Sequence, residues 1–170
     1  MGENNLITLE ITDIGDFTRK LLIQNVFDQF YLLEGEVATF GTFSMDGELN
    51  EAYYGSDETE VLQGRRWSLW SEVKPVAFLL MKGKKLPVSF KFVLQLSDAN
   101  TEWLLGKFHL EELKEQLSGL YLNIRYQDKK LLCVTGLSYK TFVMDKTLEH
   151  VWDDTAIQFM KQNSITVTKI

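Results

Sequence analysis

The chain predicts an α+β fold: a mainly antiparallel sheet with helices on one face, built from two similar strand-helix-strands-helix halves. Three features of its 170 residues lead there. The stretch TFSMDGEL at 42–49 matches TFVMDKTL at 141–148 in five of eight positions, at a constant offset of 99 residues. Upstream, LEITD at 9–13 resembles LQLSD at 94–98, and downstream WSEVKPVAFLLMKG echoes WDDTAIQFMKQN, so the halves run from about residue 6 to 86 and from 87 to 170. Runs of period two alternate with runs of helical period, which argues for helices separated by antiparallel meanders. Finally, two prolines and no Gly/Ser-rich stretch leave no linker. A half of this size is marginal alone, so residues 1–170 form one domain around a shared sheet.

Each element has a local reason. Residues 6–11 alternate as a strand, and Asp13 with Asp16 starts a helix that carries Ile14, Phe17 and Leu21 on one face. Residues 30–43 read as one or two strands with Gly35 and Gly41 marking a bulge or bend, and Asp46-Gly47 is a turn signal. The acidic, aperiodic segment 48–66 reads as a loop, and 67–82 as a helix that Pro75 breaks or kinks. Within it, residues 76–81 are six consecutive apolar side chains, which predicts burial nearly all round and a loss of about 3–5 kcal/mol for Phe78→Ala.

The second half repeats the order. VSFKFVLQL at 88–96 alternates as a half-buried strand. Ser97 or Asp98 caps a helical region with Trp103, Leu104, Phe108, Leu110, Leu113 and Leu117, and Gly119 stops it. Residues 121–126 and 131–135 straddle a polar turn as a hairpin, and 139–144 form a third strand. Asp145 caps a last helix to about Lys161, Asn163 ends it, and ITVTKI is a final strand.

Composition narrows the function. The net charge of −6, from 18 basic and 24 acidic residues, disfavours wholesale capture of nucleic acid or anionic membrane. The single Cys133 excludes an internal disulfide framework, and the first residues lack the basic start and apolar core of a signal peptide. No uncharged apolar run is long enough to span a bilayer. These features point to a cytoplasmic protein without a membrane partner.

By element order alone, the arrangement resembles duplicated α+β folds such as the saddle of the TATA-binding protein and the repeats of sliding clamps. More specifically, TFGTFSMDGELNEAYY, SLWSEVKPVAFLLMKGKKLPVSFKFVLQLSDANTEWLL, GLYLNIRYQDKKLLCVTG and MDKTLEHVWDD resemble an uncharacterised family, a domain of unknown function, of anaerobic Gram-positive bacteria. That resemblance spans nearly the whole chain and implies a bacterial cytoplasmic origin. It transfers no activity and no site residue.

Few residues could carry chemistry. Cys133 lies on a predicted strand, where burial as a small hydrophobe accounts for it. His150 with Asp153 and Asp154 shares a helical face, a cluster that could tune a base or hold a metal, against the alternative of an ordinary exposed ion pair. His109 reads as a surface or helix-end residue. Asp46 and Asp145 could pair as carboxylates if the halves meet at their turns, or simply serve a turn and a helix cap. Tyr53, Tyr54, Trp67 and Trp70 flank the acidic loop, and Lys82, Lys84 and Lys85 form a small basic patch. Together they are the candidate binding surface, with the core margin and a solvated turn as the plainer readings.

No GxSxG elbow, P-loop or dinucleotide motif is present in the sequence. The favoured function is a small non-enzymatic binding or adaptor module for a protein or peptide, with no cofactor and no metal. A hydrolase or metal-assisted enzyme built on His150 is second. A clamp-like or saddle-like nucleic-acid accessory protein is third, although the acidic balance makes nucleic acid the weaker partner.

Overall fold

The computed structural model describes residues 4–62 and 64–170. Residues 1–3, at the start of the segment that argues against a signal peptide, and Gln63, in the 48–66 loop, lie outside the described residues. The chain runs through β1 (Asn4–Ile11), α1 (Ile14–Leu22), β2 (Tyr31–Ala38), β3 (Thr42–Asp46), β4 (Ser68–Leu69) and α2 (Trp70–Met81). It continues through β5 (Ser89–Gln95), α3 (Asp98–Lys107), β6 (Leu117–Gln127), β7 (Lys130–Tyr139), α4 (Thr147–Gln162) and β8 (Val167–Lys169). Among the described residues the strands form one antiparallel sheet in the order β3-β2-β5-β6-β7-β1-β8, and β4 adds to β2.

The pleat sorts the side chains onto two faces. In register, Phe92 of β5 lies beside Ile124 of β6 and Cys133 of β7. Phe92 meets the Trp70 ring of α2 edge-on at 4.9 Å, and Thr135, two residues beyond Cys133, bonds to Asp153 of α4. Helices α2 and α4 therefore pack on the same face, and α1 packs against α2. Between them and the sheet lies a core that includes Leu9, Phe17, Leu21, Leu32, Leu94, Leu122, Leu137 and Trp152. Each buried indole N–H finds a backbone carbonyl: Trp70 donates to Leu21 O at 2.7 Å and Trp152 to Tyr121 O at 3.0 Å. Asp13 caps α1 by accepting from Asp16 N–H at 3.0 Å, and Ser97 caps α3 by accepting from Asn100 N–H at 3.2 Å.

A polar relay stitches β1 to this face. The β1–β7 register slips between Asn5 and Thr8, which leaves the Ile7 N–H off the ladder. Thr135 Oγ1, wholly buried, accepts that N–H at 2.9 Å and donates to Asp153 Oδ1 at 2.8 Å.

Several expectations need correction. Helix α3 ends at Lys107, where His109 takes a positive φ of 57°, and Leu117 and Gly119 belong to β6. Gly119 is small for another reason than helix termination: a Cβ there would come within 2.8 Å of the Gln95 side chain on β5. β7 is one long strand to Tyr139, and residues 140–146 form no third strand. Pro75 neither ends nor splits α2. The apolar run within α2 is not buried all round: only Ala77 and Met81 are buried, and Val76, Phe78 and Leu79 face water because α2 packs against β2 and α1 on one side alone.

Both halves have the order strand, helix, strands, helix, with β4 a short third strand in the first half alone, but their strands do not pair equivalently. β5 pairs with β6, whereas β1 pairs with β7 and β8 rather than with β2. The halves therefore have a similar element order without sharing sheet positions.

Candidate functional site

The face of the sheet opposite α2 and α4 carries an open hollow. The hollow has a volume of about 1030 Å³ and is lined from β2, β3, β5, β6 and β7, with Trp67 at one side. Register assembles the lining in rows across the strands. One row brings Ser44, Glu36, Lys91, Arg125 and Leu132 side by side, and the next brings Asp46, Glu34, Val93, Asn123 and Val134. Strand alternation creates this pattern from residues four strands apart.

The hollow is polarised. Its β2–β3 side is acidic, with Glu34, Glu36, Asp46 and Glu48; its middle is cationic, with Lys91 and Arg125; and Val93, Leu132 and Val134 make an apolar floor toward β7. Lys91 Nζ pairs with Glu34 Oε1 at 3.2 Å, and Asn123 Nδ2 donates to Val134 O at 3.2 Å. At the rim, Arg66 lies over the Trp67 ring at 4.8 Å and reaches Glu48 at 3.4 Å. Asp46 Oδ1 accepts the Glu48 N–H at 2.9 Å, and Gly47 lets the chain pass so close to β2 that a Cβ would lie 1.8 Å from Leu32 O.

The chain belongs to the family of unknown function DUF5721. Its family model matches residues 20–168, which takes in every lining residue of the hollow and all of the helices but the start of α1. No curated protein and no solved structure matches the chain.

The residues singled out from the sequence do not form one surface. Trp70 is core, with no exposure, so it leaves the candidate surface. Tyr53 is exposed and packs edge-on against Tyr54 at 5.3 Å, and Trp67 reaches the hollow. Lys82, Lys84 and Lys85 are exposed beyond the far end of α2, a helix of 12 residues and so about 18 Å long. That length separates them from Trp67.

Asp46, at the end of β3, and Asp145, in the segment between β7 and α4, each bond within their own turn. Each accepts an N–H two residues on, Asp145 from Thr147 at 2.9 Å, and the Thr147 hydroxyl and N–H hold the Asp145 carboxyl below its usual range. Around His150 no site converges. His150 and Asp154 are exposed, and Asp153 turns inward to Thr135, where burial pushes its carboxyl above the usual range. No group of three or more His, Cys, Asp or Glu among the described residues could hold a metal ion. Cys133 is wholly buried, which pushes its thiol up to about 12.

The hollow itself was not visible in the sequence. Lys91 and Val93 look like the polar and apolar members of an ordinary strand, and only the register joins them to Arg125 and Leu132. The available signal was the second face of VSFKFVLQL, where Lys91, Val93 and Gln95 alternate with Phe90, Phe92 and Leu94 of the helix-covered core.

Proposed function

We propose that the protein is a small non-enzymatic binding module that holds a peptide segment of a protein partner across the open face of its sheet. The observation that carries this is the polarised hollow: an apolar floor, the Arg125 guanidinium at its centre and an acidic wall facing it. A peptide offers all three complements, namely an apolar side chain, a carboxylate for the planar fork of Arg125 and a basic group for Glu36. The test is selection of peptides from a random displayed library on the full chain. Selected peptides should bind with affinities that fall at least about tenfold in Arg125→Glu, the loss of one charge-assisted bond. Peptides that bind wild type and Arg125→Glu alike would overturn the reading.

The two alternatives have less support. A saddle on nucleic acid would use this same open face, but its lining carries four acids against two bases. A hydrolase on His150 would need a pocket, and His150 is exposed with Asp153 turned away toward Thr135. We also infer a cytoplasmic location, supported by a lone buried thiol that suits a reducing compartment, and an origin in anaerobic Gram-positive bacteria, supported by the sequence resemblance alone. An ancestral duplication is supported by the similar element order of the two halves.

A further inference from the structure

One end of the sheet differs from the rest of the chain in charge. The β2–β3 connection, the segment 82–88 and the β6–β7 turn lie side by side there, because Ala38 pairs with Ser89, Phe90 with Tyr126 and Gln127 with Lys130. Val88 N–H donates to Ala38 O at 2.8 Å, which holds the middle segment against the first. Residues 75–88 contain Lys82, Lys84 and Lys85 and no acid, and residues 37–43 contain no charge. The β6–β7 turn adds Lys129 and Lys130 against Asp128. These three segments thus hold five lysines and one acid, with Asp13 following β1 beside the β6–β7 turn, in a protein whose acids outnumber its bases by 24 to 18.

The same end holds apolar side chains in water. Phe40, on the hairpin tip, is 96% exposed, Leu86 79%, Val88 72% and Leu79, in the last turns of α2, 60%. Phe40 leans edge-on against Phe43 at 5.5 Å, so the tip presents an aromatic pair. Protruding apolar side chains ringed by lysines are the combination that attaches proteins to the surface of anionic bilayers.

We propose that this end is a docking surface for an anionic lipid bilayer. The lysines meet the headgroup charge, and Phe40, Leu79, Leu86 and Val88 enter the boundary of the acyl chains. No helix among the described residues is long and apolar enough to cross a membrane, so attachment is peripheral. Nucleic acid would satisfy the lysines and leave the four apolar side chains in water. An acidic protein surface is distinguished by the test.

The test is co-sedimentation of the full chain with phosphatidylcholine vesicles and with vesicles in which part of that lipid is replaced by phosphatidylglycerol. Binding should require phosphatidylglycerol and weaken with salt. Lys84→Gln with Lys85→Gln should lower the partition coefficient about thirtyfold, whereas Lys84→Arg with Lys85→Arg should keep it. Phe40→Ser with Leu86→Ser should lower it about tenfold or more. All these side chains are exposed, so an unchanged melting temperature confirms the fold of each variant. Equal sedimentation with and without phosphatidylglycerol would overturn the proposal. So would capture by immobilised polyglutamate that depends on Lys84 and Lys85, ignores Phe40 and Leu86, and has no counterpart on vesicles.

Discussion

Replacing Thr135 by Val should destabilise the protein by about 2–3 kcal/mol, although the two side chains have nearly the same shape. The Thr135 hydroxyl is wholly buried and serves two partners, the Ile7 N–H at 2.9 Å and Asp153 Oδ1 at 2.8 Å. Valine strands the Ile7 N–H at the β1 irregularity, where no neighbouring carbonyl of the ladder replaces it. A part-buried donor such as this one, left unpaired, costs about 1.5–2 kcal/mol, the middle of the range for buried polar groups. Asp153 is only half-buried and recovers water, so its share is smaller, about 0.5–1 kcal/mol. For a chain of this length the sum corresponds to a melting temperature lower by about 4–12 °C. Urea denaturation should show a lower midpoint at constant slope, and the Ile7 amide should lose hydrogen-exchange protection ahead of Leu9. Thr135→Ser, which keeps the hydroxyl, should retain most of that protection. If Thr135→Val matched wild type within about 0.5 kcal/mol, the relay would contribute nothing and the reasoning would fail.

Three further outcomes follow. Phe78→Ala should cost less than about 1 kcal/mol, because Phe78 is 38% exposed, whereas Trp70→Ala should cost about 3–5 kcal/mol; equal denaturation midpoints for the two would refute the assignment of α2's buried side. A thiol reagent should leave Cys133 unmodified in the native protein and react on addition of denaturant, since the thiol is buried and its pKa is pushed up to about 12. Asp153 has a raised folded pKa, so the folded state holds its proton longer than the unfolded state and stability from this group falls as pH rises through the acid range. Asp153→Asn should remove that contribution, so the wild type should gain stability relative to the variant as pH falls through the acid range, read as a pH-dependent difference between their urea midpoints, and a difference that does not change with pH would contradict the assignment.

Local signals in this chain were legible where one segment decides its own structure. The caps at Asp13 and Ser97, the helical face of Phe17 and Leu21, and the alternation from Ser89 to Gln95 can all be read directly, because each depends on neighbours within a turn or a pleat. Placement was not legible where partners are distant. That β1 lies between β7 and β8 depends on contacts across more than a hundred residues, and similar element order in the two halves says nothing about it. The run from Val76 to Met81 misleads for the same reason: its composition suits burial, but only one side of α2 has a neighbour to bury it. The hollow needed register as well as composition, since Arg125 and Lys91 become neighbours only when β5 and β6 pair.

The central claim is that the open face of the sheet is where a partner binds. The most direct measurement is a methyl chemical-shift map of the full chain, labelled at Val and Leu, as a peptide selected on the wild-type protein is added. Signals of Val93, Leu132 and Val134 should move together and saturate, while those of core residues such as Leu94 and Leu122 stay in place. Shifts confined to residues outside the hollow, with Val93, Leu132 and Val134 unmoved at saturation, would contradict it.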